Sequence, residues 1–334
     1  MPEKVLPTYS DVLRARPVVS RYLPRTPTFS YPALSQELGC ELFVKHENHQ
    51  PIGAFKVRGG INLISALPEE EKRRGVISAT RGNHGLSIAY AAHLFDVRAV
   101  IVVPHGNNPE KNEAIRSYGA ELVEHGNDFD EAREHVEEIV AAEGLLYIHS
   151  ANEPSMIAGV GTYALELFED VPDLDTVLVP VGLGSGISGT CLVRGEVSPE
   201  TRVVGVQAER APSVYLSWKK KRLVTTESAD TFADGLATRV PARMTLELIH
   251  RHVDDFVMVS EEAMVRAVRD LLRYTHNLAE GAGAAPLAAA RSLRNELRGK
   301  RVAMILTGGN IDRATLQRLL ATTETELHGE RSES

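Results

Sequence analysis

Cysteine and aromatic residues are scarce in this chain: 334 residues carry two cysteines, one tryptophan and only 5% aromatic residues in all. Two thiols, Cys40 and Cys191, are too few for a disulfide framework or a four-thiolate zinc site, and their scarcity points to a reducing compartment. An excess of basic residues is also lacking. With 37 Lys and Arg against 45 Asp and Glu, the formal net charge is −8, which argues against a binder of nucleic-acid backbones. The one cationic run, Lys219-Lys220-Lys221-Arg222, reads as a solvated helix face. No apolar stretch is long: Ala99–Val103 falls far below the roughly 18 residues a membrane span needs. The segment Met1–Arg16 is charged and has no apolar signal region. These absences lead to the expectation of a soluble cytoplasmic protein with neither a membrane nor a nucleic acid as partner. Internal repeats of roughly 20–50 residues are missing too, which excludes a solenoid.

What is present is ordinary globular composition, 43% hydrophobic and 25% charged. Strand-like runs fall at Leu42–Lys45, Val76–Ala79, Ala99–Val103, Glu121–Glu124, Leu145–Ile148, Thr176–Val181, Arg202–Val206, Phe256–Val259 and Arg301–Leu306. Several are continuously apolar rather than alternating, as expected of strands buried on both faces of a parallel sheet. Helical patterns lie between them. Asp128–Glu143 carries Ala132, Val136 and Ile139 at helical spacing, and Asn310–Leu320 closes the fold. This alternation predicts an α/β fold with two lobes: open, mostly parallel twisted sheets, helices on both faces, and a ligand cleft between the lobes. Residues 75–149 are expected to form a smaller mobile domain, 1–74 and 150–325 the larger one, and 326–334 a frayed polar tail.

Three glycine-bearing loops follow strands, at Val181–Gly189, Thr80–Gly85 and Thr307–Asn310. In open α/β sheets ligands bind outside the carboxyl ends of strands, where glycine lets backbone amides approach and helix N-termini favour anions. Gly184-Ser185-Gly186-Ile187-Ser188-Gly189 is a literal G-x-G-x-x-G, and Glu209 lies about 20 residues on, where an acid would bind ribose. A nicotinamide-dependent oxidoreductase is therefore one reading. It leaves the other two glycine loops unexplained. A small anionic ligand gripped at several points accounts for all three.

Lys56 sits in Ala54-Phe55-Lys56-Val57-Arg58-Gly59-Gly60, among apolar neighbours that would desolvate its amine and favour the neutral, nucleophilic form. A nucleophilic lysine with a phosphate loop is the minimum equipment for pyridoxal phosphate held as a Schiff base. With these residues the chain resembles the tryptophan-synthase-β-like (fold type II) pyridoxal-phosphate enzymes, in particular the serine/threonine dehydratase group. The Ser-Phe-Lys-x-Arg-Gly motif of that group is matched from Ala54 except at its first position, and Ser-Ser-Gly-Asn-His is matched in part by Thr80-Arg81-Gly82-Asn83-His84. The phosphate loop corresponds to Gly182-Leu183-Gly184-Ser185-Gly186, the Ser-Gly-Gly-Asn end to Thr307-Gly308-Gly309-Asn310, and a Glu-x-x-x-Ala helix start to Glu280–Ala284. Tyr118-Gly119-Ala120 and Ile157–Thr162 also look like family segments, and the collinear resemblance runs from about Arg25 to Ile311.

The resemblance implies that Lys56 anchors the cofactor and moves the Cα proton, that Phe55 backs the pyridine ring, and that Asn83 bonds the ring hydroxyl. It implies that the 182–186 amides hold the phosphate, that Glu280 lies at the cofactor, and that Thr307 faces the pyridine nitrogen. Thr80, Arg81, Gly82, Asn83 and His84 would bind the substrate carboxylate. The activity implied is β-elimination of a β-hydroxy α-amino acid such as threonine or serine to a 2-oxo acid and ammonia, in a homo-oligomer. The alternatives within the family are a less common β-substituted substrate or β-replacement. No regulatory extension is read after the catalytic region, so feedback control of the biosynthetic threonine dehydratase kind is not expected. Two departures stand out. Ala54 replaces the family serine, and Arg81 replaces a small hydroxyl residue where the eukaryotic-type serine racemases carry a second proton donor, which disfavours racemisation. Arg81 points either to the substrate or to a surface acid. No metal site is expected, because no second acid follows Glu209 through Tyr215, and His250 and His252 do not share a helix face.

Overall fold

The structure, a computed structural model, describes residues 5–322; the tail expected over 326–334 lies outside the described residues. Among the described residues ten strands form two sheets. They are β1 (Thr28–Ser30), β2 (Glu41–His46), β3 (Val76–Ala79), β4 (Ala99–Val103), β5 (Glu121–Glu124), β6 (Leu146–Tyr147), β7 (Thr176–Pro180), β8 (Arg202–Ala208), β9 (Asp255–Val259) and β10 (Arg301–Leu306). The larger sheet has the order β1-β2-β10-β7-β8-β9, and the smaller one β5-β4-β3-β6. All pairings are parallel except β1 with β2.

The apolar runs are continuous because both faces of each sheet are covered. In the larger sheet Leu42, Val44, Leu178, Val302, Met304 and Leu306 face one core, while Val177, Val179, Ala303 and Ile305 face another. In the smaller sheet Val76, Ala99, Ile101 and Val103 face one core, and Ile77, Ala79, Val100 and Val102 the other. Alternate side chains of one strand thus enter different cores, so few positions are left for polar residues, and those that occur, such as Lys45 and Ser78, are hydrogen-bonded. All nine expected strands are present. The tenth, β1, escapes sequence reading because it is three residues long, half-exposed and antiparallel at an edge. The closing helix begins at Arg313 rather than Asn310, since Asp312 is its cap, accepting from Thr315 N at 2.7 Å. The basic run ends the helix Ser213–Lys220 and is exposed, with Lys221 in the left-handed region at φ 52°.

The helix Lys56–Ser65 connects the two sheets. Val57, Ile61 and Ile64 share a core with Ile101 and Leu86 of the smaller sheet and its helix Asn83–Leu94. Gly60 is required for this approach: a Cβ there would stand 2.3 Å from Ser87 Oγ and 2.7 Å from Ser87 O. On its other side Arg58, 1% exposed, donates from Nε to Glu47 at 2.7 Å and from Nη1 to Glu166 at 2.7 Å. Glu166 also accepts from Lys45 Nζ at 2.9 Å. Burial opposes the charge on Arg58, but Glu47 and Glu166 outweigh it and hold the guanidinium more firmly protonated than usual.

Candidate active site

The three glycine loops leave the carboxyl ends of β3, β7 and β10 and meet around one cavity. Lys56 and Phe55, residues 80–84, residues 182–186, Glu280 and Thr307 all line it, so the fold brings together every residue singled out as a site residue in the sequence. Glu209 does not line it and is exposed, as is His252. His250 is half-buried, with Nε2 3.1 Å from Ser217 O. Among the described residues no group of three or more His, Cys, Asp or Glu is placed to hold a metal ion.

Lys56 opens its helix at the cavity wall. Phe55 N donates to Thr307 O at 3.0 Å, Ser87 Oγ donates to Lys56 O at 2.6 Å, and these bonds fix where the lysine starts. Its Nζ donates to Ser150 O at 3.0 Å and to Ser185 Oγ at 2.8 Å, both neutral oxygens. Burial without a counter-charge pushes the amine down to about 8. Lys111, on the helix Pro109–Ser117, lines the same cavity in the opposite state. Burial works against its charge, but Glu280 at 3.6 Å and Asp234 at 3.1 Å outweigh it and hold the ammonium on. The cavity therefore contains one lysine that burial makes easier to deprotonate and one whose charge two carboxylates reinforce.

The glycine loop is a cradle with three of its five positions, 182, 184 and 186, free of side chains. Gly184 adopts φ +94°, and a Cβ on Gly182 would stand 2.1 Å from Gly235 O. Tyr163 Oη donates to Gly186 O at 2.9 Å, pinning the first turn of the helix Ser185–Val197, whose N-terminal amides suit an anion. In the second loop Thr80 Oγ1 accepts from Gly82 N at 2.9 Å and Gly85 N at 3.1 Å, which turns the start of the helix Asn83–Leu94 toward the cavity. Asn83 donates to Glu280 Oε1 at 2.5 Å and accepts from Asn310 Nδ2 at 2.8 Å. Burial pushes the Glu280 carboxyl up against the opposing pull of Lys111, and burial holds His84 well below its usual value, hence neutral. Ser150 Oγ is buried on the cavity wall without a partner.

Sequence reasoning missed Lys111, Phe129, Ser150 and the segment 234–238, which also line the cavity. For Lys111 a signal existed: its helix begins just after the carboxyl end of β4, as the glycine loops follow β3, β7 and β10. Asp234 opens a short 3-10 helix, Asp234–Leu236, and offered none.

A desolvated lysine beside an anion cradle, at the carboxyl ends of parallel strands, defines an α/β enzyme that anchors a phosphate-bearing carbonyl cofactor. The family described as "Pyridoxal-phosphate dependent enzyme" matches residues 19–308, and the chain belongs to it. It is 39% identical over 313 residues to the L-threonine ammonia-lyase of Thermotoga maritima, covering 94% of this chain and 78% of that protein. It is 40% identical over 283 residues to the L-threonine ammonia-lyase of Geobacter sulfurreducens, covering 84% of this chain and 70% of that one. The structure of the processed form of threonine deaminase isoform 2 from Solanum lycopersicum superposes with a TM-score of 0.88 at 30% identity, covering 98% of both chains. Membership of this family sets aside the nicotinamide reading of the G-x-G-x-x-G.

Proposed function

We propose that this chain is an ammonia-lyase that removes the β-hydroxyl and the amino group from a β-hydroxy α-amino acid such as threonine or serine, leaving a 2-oxo acid and ammonia. The observation that carries this is the neutral-prone amine of Lys56 in one cavity with the 182–186 cradle and the 80–84 loop. When bound, pyridoxal phosphate supplies the electron sink that acidifies the substrate's Cα–H and lets a β-substituent depart. Lys56 would anchor it and would take the Cα proton as a base near its working pH. The 182–186 amides would hold the phosphate, Phe55 would back the ring, and Asn83, steadied by Glu280 and Asn310, would hold the ring hydroxyl. Residues 80–84 seat the α-carboxylate. Residues 75–149 act as the smaller mobile domain of a cytoplasmic homo-oligomer. The test is ammonia release from threonine and serine by a yellow protein whose visible band is bleached by borohydride. A colourless protein that releases no ammonia ends the proposal.

Two expected outcomes follow from the site. Only the neutral amine attacks a carbonyl, so the rate at which cofactor-free protein takes up pyridoxal phosphate rises with pH through about 8 and levels above it. Stopped-flow absorbance across pH 6–10 (approximate range) checks this; a flat profile places the amine elsewhere. Thr307, 4% exposed, presents a hydroxyl, which cannot hold a proton on a facing ring nitrogen as a carboxylate would. Thr307→Asp is therefore expected to slow elimination and raise side transamination, read as the ratio of pyridoxamine phosphate to ammonia formed. An unchanged ratio would remove Thr307 from that position.

A further inference from the structure

Arg81 stands between β3 and the helix Asn83–Leu94 and borders both the active cavity and an adjoining outer pocket. Phe129 and Ala237 border both as well, so these three residues mark the mouth between the two spaces. The one ion pair of the guanidinium is long, Nη2 to Asp234 Oδ1 at 3.7 Å, and the other Asp234 oxygen is 3.1 Å from Lys111 Nζ. Arg81 Nε is buried with no partner at all. Asp234, which lines the active cavity, and Arg81, which borders both spaces, thus differ in need. Asp234 has a cation at each oxygen, while the guanidinium has an unused donor turned away from water, which is costly unless an acceptor fills it. A guanidinium presents its donors as a planar fork matched to a carboxylate.

We propose that Arg81 recognises a carboxylate at the far end of the substrate side chain, making the preferred substrate a β-hydroxy dicarboxylic α-amino acid. This rests on the ammonia-lyase reading and deepens it. The backbone of the 80–84 loop and the helix N-terminus that Thr80 turns toward the cavity would seat the α-carboxylate, which leaves the Arg81 side chain free for a second anion. A side chain running from Cα to the mouth meets the guanidinium instead. The elimination remains redox-neutral: the Cα–H and β-C–O bonds break, water leaves, and the enamine released takes up water to give ammonia and a 2-oxo diacid.

The experiment measures ammonia release by the holoenzyme from 3-hydroxyaspartate, threonine and serine, for wild type, Arg81→Ser and Arg81→Lys. The wild type is expected to favour 3-hydroxyaspartate in kcat/KM. Arg81→Ser should lower that value by about tenfold to a hundredfold, the worth of a charge-assisted contact, and invert the ranking toward threonine. Arg81→Lys, with charge but no fork, should fall between. Succinate, as a non-reacting diacid, should compete with threonine in the wild type and about tenfold more weakly in Arg81→Ser. Turnover of threonine without preference for the diacid, or a ranking and succinate inhibition unchanged by Arg81→Ser, overturns the inference and leaves the ammonia-lyase reading standing. Release from no β-hydroxy amino acid overturns both.

Discussion

Lys56→Ala is expected to lose turnover by more than about a thousandfold, together with the borohydride-sensitive visible band. The alternative source of an amine is visible in the structure, and it is disabled. Lys111 lines the same cavity, but Asp234 at 3.1 Å and Glu280 at 3.6 Å keep it protonated and therefore non-nucleophilic. Lys56 bonds to Ser150 O and Ser185 Oγ and lies 5.5 Å from the Phe55 ring centroid, so no carboxylate offsets the penalty that burial sets on its charge. Ammonia release, the absorption spectrum and circular dichroism on the same preparation make the test. A folded Lys56→Ala protein with undiminished activity would transfer the role to another group and undo the proposed chemistry.

Arg58→Met is expected to destabilise the protein by about 3–5 kcal/mol, read as a fall in the midpoint of denaturant unfolding. Glu47 is fully buried, and Arg58 meets it with two donors, Nε at 2.7 Å and Nη2 at 2.8 Å. Removing the guanidinium leaves that carboxylate charged in a site from which water is excluded, and leaves Glu166 with Lys45 as its remaining buried cation. The loss is chiefly the cost of the orphaned acid rather than the net worth of the ion pair. Combining Arg58→Met with Glu47→Gln should therefore recover part of the stability, a non-additivity expected of groups in one network. A single substitution with a midpoint equal to wild type would show that Glu47 finds water or another partner.

The site was legible to different depths at different residues. Lys56, the 182–186 loop and the 80–84 loop could be found because each is a local pattern with a chemical reason: an amine among apolar neighbours, or glycines directly after a buried strand. Arg81 was legible as an oddity but not in its direction. Only the fold shows that it reaches Asp234 and the mouth of the cavity while its Nε stays unpaired. Lys111 and Asp234 were invisible because an isolated charge on a helix or at a short turn reads as solvated, and their partnership spans 123 residues.

The sequence by itself determined that the strands are buried on both faces, because an uninterrupted apolar run leaves no face for water. It also determined where backbone amides come free at strand ends, because glycine after a strand and a helix start are local properties. Only the tertiary structure decided which strands share a sheet. β2 pairs with β10 with Leu306 opposite His46, a choice made by packing across most of the chain, which no local periodicity records. Tertiary structure likewise decided that of two lysines in one cavity, Lys56 loses its proton more readily than usual and Lys111 less readily. The number of carboxylates within reach of an amine depends on which distant segments fold against it.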